Sequence, residues 1–247
     1  MLMRVFSLLR RVGNRIYEHA FPIYRPLYAA YKACIDRAER RLLRETLVAG
    51  AVVVDAGANI GIYSQFLSRC VGTTGVVHSF EPSPENFERL RSATHRLSNV
   101  RLSQSAVGER SGNSELYLSD KLNVDHRAYM ARGDSRRTIP IEMVALDDYF
   151  RPGERVDLIK MDIQGYELHA LQGATRVLAD NPAIKVLLEL WPYGLKQAGA
   201  NWIDVIAALE GRDMVIQQVS TGGLIPFHSD SASERADWYV NLFASRM

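Results

Sequence analysis

Cysteine is scarce in this chain of 247 residues, which contains only Cys34 and Cys70. Two cysteines this far apart exclude a disulfide scaffold, and without a C-x-x-C pair they do not indicate a zinc site. Apolar runs are short, and none reaches the ~18 residues that a membrane-spanning helix needs. Arg10 and Arg11 interrupt the apolar N-terminus, and no small-residue cleavage site follows them. We therefore expect a soluble cytoplasmic protein.

Charge of one sign is not in large excess either, because 30 Lys and Arg stand against 28 Asp and Glu, a net charge of +2. The basic residues are concentrated in residues 1–48, where ten Lys or Arg against four Asp or Glu give a net charge of +6. Residues 49–247 then sum to −4. No basic surface runs along the chain, so we expect no nucleic-acid partner. We divide the chain into a basic helical extension, residues 1–48, and a main domain, residues 49–247.

The basic extension has the pattern of an amphipathic helix over residues 3–19, where apolar residues recur at spacings of three and four. Pro22 and Pro26 interrupt this pattern, and a second helix is predicted from about Leu27 to Leu47. We expect these helices to pack on the main domain or to form a homodimer with a second subunit. Peripheral contact with an anionic membrane is the alternative.

The main domain alternates short apolar runs with helical segments. Buried strands of a parallel sheet are predicted at residues 51–55, 75–80, 100–103, 156–161 and 183–190. Helices are predicted between them, and short antiparallel strands at residues 115–118 and 138–143. Two closing strands, at residues 214–219 and 238–243, are joined by a loop. We therefore predict an α/β fold: a Rossmann-like, mostly parallel sheet with an antiparallel edge hairpin.

The strongest motif follows the first strand and reads Asp55-Ala56-Gly57-Ala58-Asn59-Ile60-Gly61. Glycines let such a turn approach a ligand closely at the carboxyl end of the strand. The Gly-x-Gly-x-x-Gly spacing of dinucleotide-binding turns and the Lys-Ser/Thr of a P-loop are both missing. A carboxylate at Asp55 disfavours phosphates and suits a cation. The turn therefore indicates S-adenosylmethionine, which carries a sulfonium and an ammonium group and no phosphate.

Glu81 ends the second strand, 26 residues after Asp55. An acid at this position can accept hydrogen bonds from both ribose hydroxyls of a nucleoside cofactor. Pro82 and Pro84 end the strand and begin the next helix, which directs the carboxylate. We predict that Glu81 binds the ribose.

From about Val52 to Leu190 the chain resembles S-adenosylmethionine-dependent methyltransferases of the FkbM family. The resemblance is carried, in order, by VVVDAGANIGIYS, SFEPSPENFERL, SAVGERSG, LDDYF, IKMDIQGYE and LLELWPYGL. It implies a class I, Rossmann-like methyltransferase domain. It also implies an acceptor that is a small molecule or glycan, methylated on a hydroxyl of a sugar, glycolipid or polyketide-like metabolite.

The resemblance also implies roles for individual residues. It places Asp162 at the transferred methyl group and Glu81 at the ribose. It assigns the methionine end to Asp55, Gly57, Asn59 and Gly61, and the adenine to Ser105 and Ala106. One position departs from the family pattern, because Gln164 stands where an acid is usual.

A hydroxyl acceptor must lose its proton as it attacks a methyl group. Asp162 is the candidate base, with a hydrogen bond to the cofactor ammonium as its alternative role. Glu189, Trp191 and His126 are weaker candidates for substrate contact. Asp162, Glu167 and Glu189 have oxygen ligands suited to Mg²⁺, but their spacing does not require a metal, and we predict none.

Two alternatives to an O-methyltransferase remain open. Gln164 and the basic extension are compatible with a non-catalytic, cofactor-binding scaffold. A nicotinamide-dependent oxidoreductase would use a similar fold, although the missing Gly-x-Gly-x-x-Gly disfavours it. We favour an active enzyme in which Gln164 is structural. The polar segments 120–137 and 222–236 are expected to select the acceptor.

Overall fold

The computed structural model describes residues 16–119, 126–130 and 136–246. Its strands are β1 (Val52–Ala56), β2 (Val76–Phe80), β3 (Val100–Ser103), β4 (Ser105–Val107), β5 (Gly112–Tyr117), β6 (Thr138–Val144), β7 (Leu158–Met161), β8 (Lys185–Leu190), β9 (Val215–Ser220), β10 (Gly223–Pro226) and β11 (Val240–Ser245). Its helices are α1 (Phe21–Ile35), α2 (Arg37–Thr46), α3 (Ile62–Val71), α4 (Pro84–Thr94), α5 (Leu146–Tyr149), α6 (Glu167–Gln172), α7 (Thr175–Asp180), α8 (Pro192–Gln197) and α9 (Trp202–Glu210). A short 3₁₀ helix spans Ser229–Ser231.

An eight-stranded sheet forms the centre of the molecule, in the order β10-β9-β11-β8-β7-β1-β2-β3. The five strands from β8 to β3 are parallel, whereas β11 runs antiparallel to β8 and β9. The predicted α/β fold with an antiparallel edge is confirmed. The edge holds one strand more than predicted, because β9 turns directly into β10. The carboxyl ends of β1, β2, β7 and β8 share one edge, which brings their following residues together.

A second sheet of three strands, in the order β4-β6-β5, stands beside the main sheet. β5 and β6 pair antiparallel, which confirms the two short strands predicted near these positions. β4, which was not predicted, pairs parallel with β6. Its sequence is only three residues long, too short for a periodic signal.

The main sheet is buried on both faces. Neighbouring residues of one strand enter opposite clusters: Val53 and Leu158 join one, Val54 and Ile159 the other. This explains why the central strands read as continuous apolar runs.

The N-terminal helices differ from their prediction. One helix from Leu27 to Leu47 was expected, but α1 begins at Phe21 and a second helix, α2, follows Asp36. Pro22 lies in the first turn of α1, where a missing N–H costs nothing, and Pro26 lies within the helix without ending it.

The extension packs against the main domain through the last turns of α2. Leu43 and Leu47 are buried in the cluster that contains Val53 and Leu67. Of the helix predicted over residues 3–19, residues 3–15 lie outside the described part of the chain. No helix in the described ranges has the length and apolar character to cross a membrane.

One further helix differs from its prediction. A single helix over residues 167–178 was expected, whereas α6 and α7 are separate and Gly173 lies between them. A Cβ on Gly173 would come 2.0 Å from the carbonyl oxygen of Gly108. The close approach of these two backbone segments therefore interrupts the helix and requires glycine.

Candidate active site

The turn after β1 forms the floor of an inner pocket at the carboxyl edge of the main sheet. Gly57 has φ 80° and Asn59 has φ 50°, both in the left-handed region. A Cβ on Gly57 would lie 2.0 Å from the carbonyl oxygen of Asp162, so only glycine fits there. Both residues line the inner pocket, as predicted from the motif.

Two other residues of the motif do not line the pocket. Asp55 is fully buried, accepts a hydrogen bond from the Ser64 hydroxyl at 2.8 Å and lies 3.4 Å from the Lys160 ammonium. A Cβ on Gly61 would meet Leu90 of α4 at 2.9 Å. Asp55 supports the turn from beneath, and Gly61 lets α3 approach α4, so the assignment of these two residues to the methionine end stays a prediction.

Glu81 faces the inner pocket with both carboxylate oxygens held by the backbone. Oε2 accepts from the Asn59 N–H at 2.9 Å, and Oε1 accepts from the Ser83 N–H at 2.8 Å. The Asn86 side chain also hydrogen-bonds this carboxylate, and the remaining acceptor capacity can serve a ligand hydroxyl. Burial raises the pKa of Glu81 to about 7.

The opposite wall of the inner pocket is mostly apolar. Ser105 and Ala106 line it, as predicted, although the Ser105 hydroxyl is already paired with Ser103 at 2.9 Å. Sequence reasoning missed the residues from several elements that complete this wall: Phe80, Val107, Leu116, Ala128 and Tyr166. Of these residues, only Phe80 could have been found from the sequence, because it is the neighbour of Glu81.

His126, predicted as a substrate contact, lies at the inner pocket and not beside the other substrate candidates. Its Nδ1 accepts a hydrogen bond from the Ser119 N–H at 3.0 Å. This bond holds the imidazole ring at the side of the pocket next to the end of β5. The prediction of a substrate contact for His126 is not supported by this position.

An outer cavity adjoins the inner pocket and has two lobes. Lys32, Asp162, Glu189 and Tyr239 line both lobes. The larger lobe also contains Trp191, Tyr193 and Tyr28. Glu189 and Trp191, both predicted from sequence, are thus brought together, whereas Tyr28 and Lys32 of α1 carried no sequence signal.

Asp162 lies where the inner pocket meets the outer cavity and lines both. The Gln164 amide donates to its Oδ1 at 3.0 Å. Gln164 itself has φ 57°, and its carbonyl accepts from the Tyr129 hydroxyl at 2.8 Å. The side chain of Gln164 therefore contacts the candidate base directly, instead of serving only the backbone of the turn.

Several acids near Asp162 are buried and hold protons more tightly than usual. Burial raises the pKa of Glu167 to about 7, although its Oε1 accepts from the N–H groups of Ile163 and Gly165, each at 3.2 Å. Burial, with the charges of Asp162 and Glu167, raises the pKa of Glu189 well above its ordinary value. Among the described residues, no cluster of three or more His, Cys, Asp or Glu side chains is arranged to hold a metal ion.

Charged groups from α1 and α2 close the outer cavity. Lys32 pairs with Asp36 at 2.7 Å, and Glu39 accepts from the Tyr63 hydroxyl at 2.8 Å and from the Asn241 amide. Residues distant in sequence thus meet in one polar network.

The lining of the inner pocket fits S-adenosylmethionine. Two carboxylates, Glu81 and Asp162, line the described part of the pocket, and Lys and Arg are absent from it. Such a lining repels phosphates and attracts a cation. Glu81 is free to accept from hydroxyls, and Phe80 and Leu116 offer apolar surface for a flat ring.

Comparison with known proteins points to one family. A family profile described as the methyltransferase FkbM domain matches residues 55–212. "Methyltransferase 1" of Beauveria bassiana is 29% identical over 145 residues, covering 49% of this chain and 57% of that protein. Hexuronic acid methyltransferase AglP of Haloferax volcanii is 28% identical over 144 residues, covering 56% of each protein. The chain thus spans little more than half of either relative.

Two solved structures share the fold at low identity. An rRNA methylase from Streptococcus thermophilus aligns with a TM-score of 0.50 and 12% identity over 85% of this chain and 94% of that one. A Streptococcus mutans protein in complex with SAH aligns with a TM-score of 0.51 and 11% identity over 85% of this chain and 96% of that one. At these identities the likeness concerns the fold alone.

Proposed function

The chain belongs to the FkbM methyltransferase family, whose methyl donor is S-adenosylmethionine, and we propose that it methylates a hydroxyl oxygen of a sugar, glycolipid or polyketide-like acceptor. The observation that carries the proposal is the position of Asp162. This carboxylate lines the inner pocket, which fits the donor, and also the outer cavity, which has room for an acceptor. A base at this junction can reach a hydroxyl that approaches the donor.

In the proposed complex, different walls of the inner pocket hold different parts of the donor. Glu81 accepts from the ribose hydroxyls, and Ser105 and Ala106 lie beside the adenine. Gly57 and Asn59 present the turn to the methionine end. When bound, S-adenosylmethionine supplies a methyl group on a positively charged sulfur, which is a good leaving group.

The protein's own contribution is positioning and proton removal. An oxygen that attacks the methyl group must release its proton, and Asp162 accepts it. The Gln164 amide holds the Asp162 carboxylate in one orientation and adds no negative charge. The indole N–H of Trp191 donates to the Ala236 carbonyl at 3.1 Å, which anchors the ring in the cavity wall.

An aromatic wall with a neighbouring acid, Glu189, suits a sugar, whose ring faces stack on indole and whose hydroxyls donate to carboxylates. The Haloferax volcanii relative is a hexuronic acid methyltransferase, which supports the same acceptor class.

The test is turnover against a panel of hydroxylated glycans, glycolipids and polyketides with radiolabelled S-adenosylmethionine, in which mass spectrometry locates the methyl group. Asp162→Asn should lower kcat ~10²- to 10⁴-fold and leave donor affinity within about threefold, as expected for a lost general base. Asp237→Asn is the matched control, since Asp237 lines the same cavity and is exposed, and it should change kcat less than about twofold.

Two outcomes would contradict the proposal. Methylation on nitrogen or carbon would exclude an O-methyltransferase. Donor binding by calorimetry without turnover on any acceptor of the panel would favour the non-catalytic scaffold.

A further inference from the structure

Helix α1 has two faces with different surroundings. Its inner face contributes Tyr28 and Lys32 to the outer cavity. Its outer face is exposed and carries Ile23, Leu27, Tyr31 and Ile35, which are 60%, 60%, 57% and 49% exposed. Their spacing of four residues places them in one stripe along the helix.

The outer face of α1 carries no charge. The exposed residues of the helix besides the stripe are Pro, Ala and Cys. Its two charged residues both turn inward, where Arg25 donates to Gln65 at 2.6 Å and Lys32 pairs with Asp36 at 2.7 Å. A continuous apolar surface of this kind marks an interaction site.

Charge around the stripe selects the kind of partner. The sequence before α1 has arginines at positions 4, 10, 11 and 15, and its first acid is Glu18. Exposed Arg37 and Arg41 follow the helix, and Arg41 lies 3.5 Å from the Glu45 carboxylate. A second copy bound through this face would bring positive charges of two chains closer together, which costs free energy. An anionic surface gains from the same charges.

The stripe also continues to the mouth of the outer cavity. Ile35 and Tyr239, which is 55% exposed, line one lobe of the cavity together with Asp162 and Glu189. An apolar surface that contacts α1 therefore lies next to the candidate base.

We propose that the outer face of α1 binds an anionic lipid surface, which brings the mouth of the outer cavity to the bilayer. The interaction is peripheral: apolar side chains of the stripe enter the headgroup region and arginines contact the lipid phosphates. Binding of α1 to the lipid surface does not depend on the reaction, whereas the benefit to catalysis rests on the proposed function. An acceptor carried on a lipid would then reach Asp162 without leaving the membrane.

The experiment measures sedimentation of the full chain with phosphatidylcholine vesicles that contain or lack phosphatidylglycerol. The test variant carries Leu27→Ser and Tyr31→Ser, which remove apolar surface without changing charge. The matched control carries Ile203→Ser and Ile225→Ser, at exposed apolar positions on other elements, 53% and 44% exposed. Calorimetry with S-adenosylmethionine confirms that each variant is folded, and the single Leu27→Ser variant replaces the double one if that fails.

We expect the parent and the control to bind the anionic vesicles and the test variant to bind at least about tenfold more weakly. Equal losses in both variants, or no vesicle binding by the parent, would overturn the proposal. Analytical ultracentrifugation tests whether a second copy of the chain binds this face instead. If the parent protein is a dimer and the variant with Leu27→Ser and Tyr31→Ser is a monomer, the face is assigned to a second copy. Donor binding and turnover are measured on the same proteins, so that failure of the proposed function is distinguished from failure to bind the vesicles.

Discussion

Gln164 is the residue at which this chain departs from its family, and the structure gives the departure a physical context. Its amide donates to Asp162 Oδ1 at 3.0 Å. An acid in its place would put two carboxylates in contact, and like charges this close oppose ionisation of both. The amide instead adds no charge beside Asp162 and fixes the direction of its carboxylate, which is compatible with an active enzyme.

Replacing Gln164 with Glu tests this reasoning. We expect the rate near neutral pH to change less than about tenfold, because the base itself is still present. Gln164→Ala removes the hydrogen bond that orients the Asp162 carboxylate and should lower the rate more than Gln164→Glu does. A large gain in rate from Gln164→Glu, with indifference to Asp162→Asn, would show that the missing acid is the catalytic group.

Glu81 predicts a pH dependence of donor binding. Burial raises its pKa to about 7, and the ionised carboxylate accepts hydrogen bonds from ribose hydroxyls more strongly than the protonated acid. Affinity for S-adenosylmethionine should therefore rise between about pH 6 and about pH 8. Glu81→Gln should remove this rise and weaken binding about ten- to a hundredfold at the upper end, ~1.5–3 kcal/mol.

Calorimetry at several pH values measures the effect of Glu81→Gln. Exposed Glu88 on α4 provides the control, and Glu88→Gln should keep the parent profile. Affinity that does not depend on pH in the parent protein would contradict the assignment of Glu81 to the ribose.

Among the elements, the turn from β7 to α6 is the most constrained. Gln164 and Gly165 have φ of 57° and 98°, and a Cβ on Gly165 would lie 2.4 Å from the Gly194 carbonyl carbon. Glu167 accepts from two backbone N–H groups of the turn and is fully buried. The turn that presents Asp162 is thus held by a buried acid of the following helix.

This buried acid makes stability fall with rising pH. The pKa of Glu167 is about 7 in the folded protein against 4.5 in its ordinary state, so the folded state binds the proton more tightly. The stabilisation that comes from this tighter proton binding is fully present below about pH 4.5. It is lost as pH rises through about 7, which lowers the free energy of unfolding by ~3 kcal/mol. Glu167→Gln should remove that part of the decline. Urea unfolding at about pH 5 and about pH 8 measures it, with exposed Glu210→Gln as the control; an equal decline in the Glu167 variant would refute the account.

In the whole molecule, segments that precede and follow the family match meet at the outer cavity. Lys32 precedes and Tyr239 follows the family match over residues 55–212, yet both line the cavity with Asp162. The donor pocket lies almost entirely within the matched region. Segments outside the family match, including α1, thus complete the wall of the outer cavity beside Glu189 and Trp191.

The division of the chain at residue 48 can be tested at this scale. We expect residues 49–247 alone to have a free energy of unfolding at least ~3 kcal/mol lower than residues 16–247, because Leu43 and Leu47 each contribute ~1.5–3 kcal/mol on burial. Chemical denaturation of the two truncated proteins measures the difference. Equal stabilities would show that the extension is independent of the main domain.

The local pattern of apolar and polar residues in the sequence was sufficient to predict most of the fold. β1 is recognisable as an apolar run, and Glu81 as an acid at the end of β2, because a strand buried on both faces leaves a continuous signal along the chain. The glycine turn was predicted to approach a ligand closely, whereas the contact that requires glycine at position 57 in the structure is with the Asp162 carbonyl oxygen. β4 and the separation of α6 from α7 were beyond such reasoning, since both depend on contacts with distant segments.

The sequence alone determined the fold class, the donor and the acids at the strand ends, because those properties reside in short contiguous motifs and in the rule that parallel strands end at one edge. It did not determine which motif residues line the inner pocket. Asp55 and Glu81 both follow apolar strands, but Asp55 turns towards Lys160 and Glu81 towards the pocket. Nor did it place Lys32 of α1 beside Asp162, because packing of elements far apart in the chain builds the outer cavity, and such packing leaves no periodic trace in the sequence.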